Sequence, residues 1–498
     1  MMRLQNVSLP LLAACTAIAC TSVENQPIAH GLKANYVQPK SCAGQKGCIT
    51  TVAGTGVQAY GDDDVVGWKS DLNFPQDAVV GPGGVIYYID WNDHRIRKLD
   101  ASSGMTSTVV GSGKIGDVGK GEIPTDAALN HPTGITFDKA GVLWIAAWHN
   151  SKIKKVDPTK NLLEEFAGTG GRAFGGDGGP AAKAVFDLPS ALDFDDAGDM
   201  YIADQSNQRI RKVDMKTGTI TTVVGSRWVT DTLDKAGKPL LLPAGSQWPQ
   251  NADGTPAPGA KALPAATYGT FQCKNGGIGP GHVEPLAPWG VDLPTPSTTA
   301  VCQFDITQPD FCKKAPDGTP AKLNLPAPDL CGGFGGDGGP ALAAYLAGPK
   351  LQFSYPASRL VIRKNKMYIA DTYNNRIRMV DLSAAPPTID TIAGNGTAGF
   401  AGDGADAKAA QLNGPTDVDQ LADGTLLIAD KDNHCIRAVK DGKISTFAGQ
   451  CGKQGYAGDG GAAEQAKFDQ PFGIGVGPDG TVYVADTWNQ RLRAITPK

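Results

Sequence analysis

Aromatic residues make up only 7% of this 498-residue chain, and its charges nearly cancel, with 46 Lys and Arg against 50 Asp and Glu. That balance leaves out the basic surface that nucleic-acid binding needs. Beyond the N-terminus no segment has the roughly 18 uninterrupted apolar residues of a membrane-spanning helix. Histidines number six, and none has the HxH or HxxxH spacing of a compact metal site. No CxxC pair, GxSxG elbow or phosphate loop occurs. In excess are glycine, with 64 residues, and proline, with 35, a composition suited to short strands and many turns.

Residues 1–20, MMRLQNVSLPLLAACTAIAC, carry one Arg, an apolar run and small residues, the pattern of a secretory signal with a lipobox. Both LAAC, ending at Cys15, and AIAC, ending at Cys20, resemble that box. Cys20 leaves the more usual apolar length and is the expected lipidated residue, with Cys15 as the alternative. The expectation is an exported monomer anchored through this lipid alone in a bacterial cell envelope, at the outer membrane. Cleavage without lipidation would leave it periplasmic or secreted. Residues 21–48 read as a linker.

Self-similarity dominates the rest. The best copy, LPSALDFDDAGDMYIADQSNQRIRKVDMKTGTITTVVG at residues 188–225, alternates β-rich runs with turns and makes four antiparallel strands, the content of one propeller blade. The same order recurs after Pro75, Pro132, Pro356, Pro415 and Pro471. Aligned at the end of the second strand, the copies place Asp90, Ala147, Asp204, Asp371, Asp430 and Asp486 in one register. One interval is long by about 110 residues. It holds an insertion, residues 226–331, with 16 of the 35 prolines and no blade text. This segment is expected to be irregular, as a lid, a partner-binding appendage or a passive extension. The sixth copy lacks a fourth strand, whereas ITTVAG at residues 49–54 matches fourth-strand text ahead of the first copy. The expected fold is therefore an all-β, six-bladed propeller over residues 49–498, its last blade closed by the N-terminal strand.

The strings YIADTYNNRIRMVD (368–381), YIADQSNQRIRKVD (201–214) and YVADTWNQRLRAI (483–495) resemble NHL repeats, and the GDGG linkers resemble the bacterial and teneurin-type branch of that family. The resemblance implies a six-bladed propeller but no chemistry, because such propellers serve as binding domains, sensors and, in amidating lyases, enzymes.

Excluding Cys15 and Cys20, eight cysteines remain, consistent with four disulfides in an oxidising compartment. Cys42 and Cys48 form one local set, and Cys273, Cys302, Cys312 and Cys331 another. Cys435 and Cys451 come within reach across a hairpin turning at Asp441 and Gly442, the competing pairing being one of them with an insertion cysteine.

The linker FGGDGGPA occurs at residues 174–181 and 334–341, with relatives FAGDGADA at 400–407 and YAGDGGAA at 456–463. Its glycines suit a sharp turn, and Asp177, Asp337, Asp403 and Asp459 suit capping of backbone amides. The alternative use of these carboxylates is a cation site, calcium being the one cofactor considered. The first two linkers, AYGDDDVVG and GDVGKGEIPTDA, depart from the pattern, so six uniform sites are not expected. The second-strand aspartates are expected to pair with a basic residue five positions on: Asp90 with Arg95, Asp204 with Arg209, Asp371 with Arg376 and Asp486 with Arg491. Blade two has Ala147 and Lys152, and blade five Asp430 and Cys435.

Loops between second and third strands vary most. Trp488, Trp91 and Trp148 fall on blades six, one and two, neighbours in a closed ring, and form an expected aromatic arc; Tyr373 lies in the same loop of blade four. His94, His149 and His434 read as surface loop residues. The expected function is non-catalytic binding of a protein or carbohydrate on the loop face, with a metal-dependent lyase or lactonase as the alternative.

Overall fold

The computed structural model describes residues 38–42, 44–117, 121–157, 159–172, 174–225, 336–344, 346 and 358–498, with two short strands inside the insertion. Six antiparallel sheets form a six-bladed propeller. Each has four principal strands, numbered from the axis outwards. Blade one comprises Pro75–Val80, Ile86–Asp90, Arg95–Leu99 and Met105–Val110, and blade two Pro132–Phe137, Leu143–Ala147, Lys152–Asp157 and Leu162–Ala167. Blade three comprises Pro189–Phe194, Met200–Asp204, Arg209–Val213 and Ile220–Val224, and blade four Leu360–Arg363, Lys366–Asp371, Arg376–Asp381 and Thr388–Ala393. Blade five comprises Pro415–Gln420, Leu426–Asp430, Cys435–Lys440 and Lys443–Ala448.

Blade six takes Pro471–Val476, Val482–Asp486 and Arg491–Ile495 from the C-terminal end and its fourth strand, Cys48–Ala53, from the N-terminal end. Ile49 pairs with Ile495 and Thr51 with Arg493, so the ring closes as its repeats imply. Ile49 and Ala53, both fully buried, enter the apolar cores on the two sides of this blade. Among the described residues each of the six blade interfaces has such a core, and burying one Ile or Leu side chain contributes about 1.5–3 kcal/mol.

Linkers do more than cross between blades. Val65–Val66, Gly339–Pro340 and Gly461–Ala462 add a short fifth strand to the outer edges of blades one, four and six. The linker thus covers an edge that would otherwise offer unpaired backbone groups. In the insertion, Val229–Leu233 pairs with Pro239–Leu241 as a hairpin where an irregular chain was expected. The insertion's four cysteines, Cys15 and Cys20 lie outside the described residues.

Innermost strands line a cavity of about 250 Å³ on the axis. Two arginines of blade four cross it. Arg359 meets Asp77 at 2.6 Å and Asp417 at 3.5 Å; Arg363 meets Asp419 at 2.7 Å and Asp193 at 3.2 Å. Each of these carboxylates also accepts an amide from the next blade: Ile135 N on Asp77, Ile362 N on Asp193, Ile474 N on Asp417 and Val476 N on Asp419. Burial pushes the carboxyls of Asp193, Asp417 and Asp419 up, and the arginines oppose it. These residues tie the blades together around the axis.

Candidate functional site on the loop face

The repeated linker is a clamp. Asp177, Asp337, Asp403 and Asp459 each contact a fully buried arginine at the third position of the third strand: Arg211, Arg378, Arg437 and Arg493, at 2.5–2.7 Å. The second oxygen receives a fourth-strand threonine, Thr222, Thr391, Thr446 or Thr51. Each carboxylate is thereby committed to its own blade, which does not fit the cation ring considered for these positions. The two divergent linkers hold their blades in the same way, with Asp63 contacting Arg97 at 2.9 Å and Asp117 contacting Lys154 at 2.8 Å. The amide-capping role expected of the four repeated aspartates is seen at Asp177, Asp403 and Asp459, and a linker carboxylate meets a third-strand cation in all six blades.

The same third-strand arginine, seven positions on, faces the second-strand aspartate. The distances are 3.5 Å for Arg97 and Asp90, 3.5 Å for Arg211 and Asp204, 3.2 Å for Arg378 and Asp371, 3.3 Å for Arg437 and Asp430, and 3.6 Å for Arg493 and Asp486. Burial pushes Asp204 and Asp430 up to about 7 and Asp486 to about 6, against the pull of arginine and donated amides. In blade two both members change together, to Ala147 and Lys154. Of the expected pairs five apart, Asp90 and Arg95 do meet, at 3.1 Å. The basic residue five positions on has another role, stacking on the linker's aromatic ring. Arg95 lies 3.7 Å from Tyr60, Arg209 4.1 Å from Phe174 and Arg491 3.7 Å from Tyr456. Blade five has Cys435 there; it is bonded to Cys451, and Phe400 of its linker is half exposed. Cys42 is likewise bonded to Cys48, where the closing strand begins.

Two sets of left-handed, mostly non-glycine residues mark the loop face. One ends each loop between second and third strands: His94, Ser151, Gln208, Asn375, His434 and Gln490, with φ of 50–56°. The other precedes the first-strand proline: Phe74, His131, Leu188, Gly414 and Gln470, with φ of 45–58°. Such angles are uncommon without glycine. At four interfaces the loop residue accepts the amide of the pre-proline residue one blade on. His94 Nδ1 takes His131 N at 3.1 Å, Asn375 Oδ1 takes Gly414 N at 2.9 Å, His434 Nδ1 takes Gln470 N at 3.1 Å, and Gln490 Oε1 takes Phe74 N at 2.6 Å.

This arrangement gathers an aromatic and imidazole cluster over blades one and two. His131 lies 4.5 Å from Trp91, 4.3 Å from His94 and 4.8 Å from His149 between ring centres. His149 stacks on Trp148 at 4.1 Å, and the two tryptophans are 6.2 Å apart. His131 Nδ1 lies 3.0 Å from His149 Nδ1 and 2.8 Å from Asn130 Oδ1. Burial lowers His94 and His149 to about 4 and His131 to about 2. Reading His94 and His149 as surface loop residues is corrected: His94 is buried and His149 only partly exposed, because the blades turn their loops towards one another. His131 was not singled out from sequence. Blade alignment held the signal, since it puts His131 next to a first-strand proline and His94 at the end of the preceding loop.

Of the expected arc, Trp148 is buried at 3% exposure, with Nε1 donating to Gln205 Oε1 at 3.2 Å, and supports His149 from beneath. Trp488 is 40% exposed and packs edge-on against Phe74 at 5.1 Å. Tyr373 belongs to blade four, across the ring from blade one. Among the described residues no three His, Cys, Asp or Glu side chains are grouped to hold a metal ion.

The NHL repeat family model matches residues 468–495, the run into blade six and its first three strands. The chain thus carries an NHL repeat in blade six and is similar to NHL-repeat proteins. It is 29% identical over 246 residues to NHL repeat-containing protein 2 of Bos taurus, covering 46% of this chain and 33% of that protein. Teneurin-1 of Mus musculus is 36% identical over 90 residues, which is 15% of this chain and 3% of that protein. The chain thus spans about a third of the first of these relatives and a small part of the second. An auxiliary nutrient binding protein from Bacteroides thetaiotaomicron shares the fold at a TM-score of 0.51, with 13% identity over 90% of this chain and 75% of that one.

Proposed function

We propose that this NHL propeller is an exported, non-catalytic binding protein that takes a carbohydrate on the loop face of blades six, one and two. The observation that carries the reading is Trp488. It is 40% exposed beside polar groups: its amide donates to Asp469 O at 3.1 Å, and Gln454 Nε2 lies 3.0 Å from the Asp469 carboxylate. An aromatic plane next to amide and carboxylate groups matches a sugar, which offers C–H faces and hydroxyl edges. Among the described residues Trp488 is the strongly exposed large apolar residue of the loops between second and third strands. A fold neighbour described as a nutrient binding protein has a role of the same class. Export agrees with two disulfides among the described residues.

The test is an array of oligosaccharides and peptides probed with the full chain and with Trp488→Ala. Glycan capture lost in the variant at unchanged melting temperature is the expected result. Capture of peptides alone assigns the face to a protein partner. Chelator-sensitive turnover of a bound compound would make it the metal-dependent enzyme. Fatty-acid labelling that disappears in Cys20→Ala but persists in Cys15→Ala tests the anchor.

A further inference from the structure

His94, His131 and His149 meet where blade one touches blade two, and none of them forms an ion pair with a carboxylate among the described residues. Charged groups on the surrounding elements are already paired: Arg95 with Asp90 and Asp93, and Arg172 with Asp187 at 2.8 Å. His94 Nδ1 accepts the His131 amide, which only an unprotonated nitrogen can do. The Nδ1 atoms of His131 and His149, 3.0 Å apart, have room for one proton between them. A second proton there sets two N–H groups head to head.

We propose that this trio is an acid-operated latch, which holds blade one to blade two while its imidazoles are neutral and opens that interface first when the surroundings acidify. The depressed proton affinity of all three rings, caused mainly by burial, agrees with this geometry. Among the described residues, the three other interfaces with this amide bond hold no such cluster of imidazoles. Gln490 and Asn375 make the same amide bond with a group that does not titrate. His434 has the Asp469 carboxylate 3.5 Å away to partner an imidazolium. Opening at blades one and two would also separate Trp91 from His131, rearranging part of the loop face, whatever that face binds.

Hydrogen exchange on the full chain tests the latch, with each amide rate divided by its intrinsic rate at that pH. Phe74 N, held by Gln490, is the control inside the same molecule. Between pH 6.5 and 4.5 the His131 amide should lose protection relative to Phe74 by about tenfold per pH unit for one proton taken up on opening. The loss should reverse at pH 7 and become less steep in His94→Gln, which keeps an acceptor that cannot be protonated and leaves only His131 and His149 to take up protons. Equal loss at His131 and Phe74, or unchanged loss in the variant, overturns the proposal. Should that variant not fold, ring titration of the wild-type histidines decides: midpoints well below 6.5 uphold the latch, and midpoints at or above 6.5 sink it.

Discussion

Gln490 Oε1 accepts the backbone N–H of Phe74 at 2.6 Å, joining the last blade to the first across 416 residues of sequence. The bond stands at the seam of the ring, beside the interface where the N-terminal strand completes blade six. Gln490→Ala should cost about 1 kcal/mol, whereas deleting Cys48–Ala53 removes the whole fourth strand, the core side chains Ile49 and Ala53 and the bond of Cys48 to Cys42. The deletion is expected to aggregate or to melt far below the point variant, as thermal unfolding with light scattering will show. Equal melting of the two would place closure elsewhere.

The linker clamp predicts structural loss without metal dependence. Asp177→Ala leaves Arg211, fully buried, with part of its charge unanswered. A cost of about 3 kcal/mol is expected, at the low end for breaking a buried pair, because Asp204 and the ring of Phe174 remain. Calcium or chelator should not shift the melting temperature of either protein.

Blade five offers a swap between two ways of holding a linker. Losing the Cys435 and Cys451 bond through Cys435→Ser with Cys451→Ser should cost about 3 kcal/mol for a loop of this size. Replacing the first change by Cys435→Arg gives Phe400 the guanidinium that Tyr60, Phe174 and Tyr456 already have. Urea unfolding should then recover about 1 kcal/mol.

Trp488 and Trp148 should separate binding from folding. Trp488→Ala is expected to weaken ligand capture by about 2 kcal/mol with little change in stability. Trp148→Ala empties a buried site and should destabilise by about 3–5 kcal/mol. Calorimetric melting and a binding isotherm on each variant distinguish the two outcomes.

His434 provides a pH test independent of the trio. Burial holds its proton affinity below the ordinary value near 6.5, with Asp469 partly restoring it. A histidine depressed on folding contributes its full stability above 6.5 and loses it as pH falls towards the folded value, since the unfolded chain takes the proton first. His434→Asn keeps an acceptor for the Gln470 amide, as Asn375 does for Gly414, without this loss. The stability of the variant relative to wild type should therefore rise below pH 6.5; a constant difference would exclude a titrating His434.

Six blades, their strand order, the N-terminal closing strand and the local pairing of Cys435 with Cys451 follow from the sequence itself. Strands of one blade are neighbours in the chain, and the period-two pattern with turn residues survives in every copy. Contacts between blades are another matter. That Arg211 reaches Asp177, that Asp63 and Asp117 complete the clamps, that Trp148 is buried, and that His94, His131 and His149 converge all depend on blade twist and on how neighbouring loops tilt together. These partners come from different elements, often on different blades, and no repeat period records which side chains such elements bring into contact.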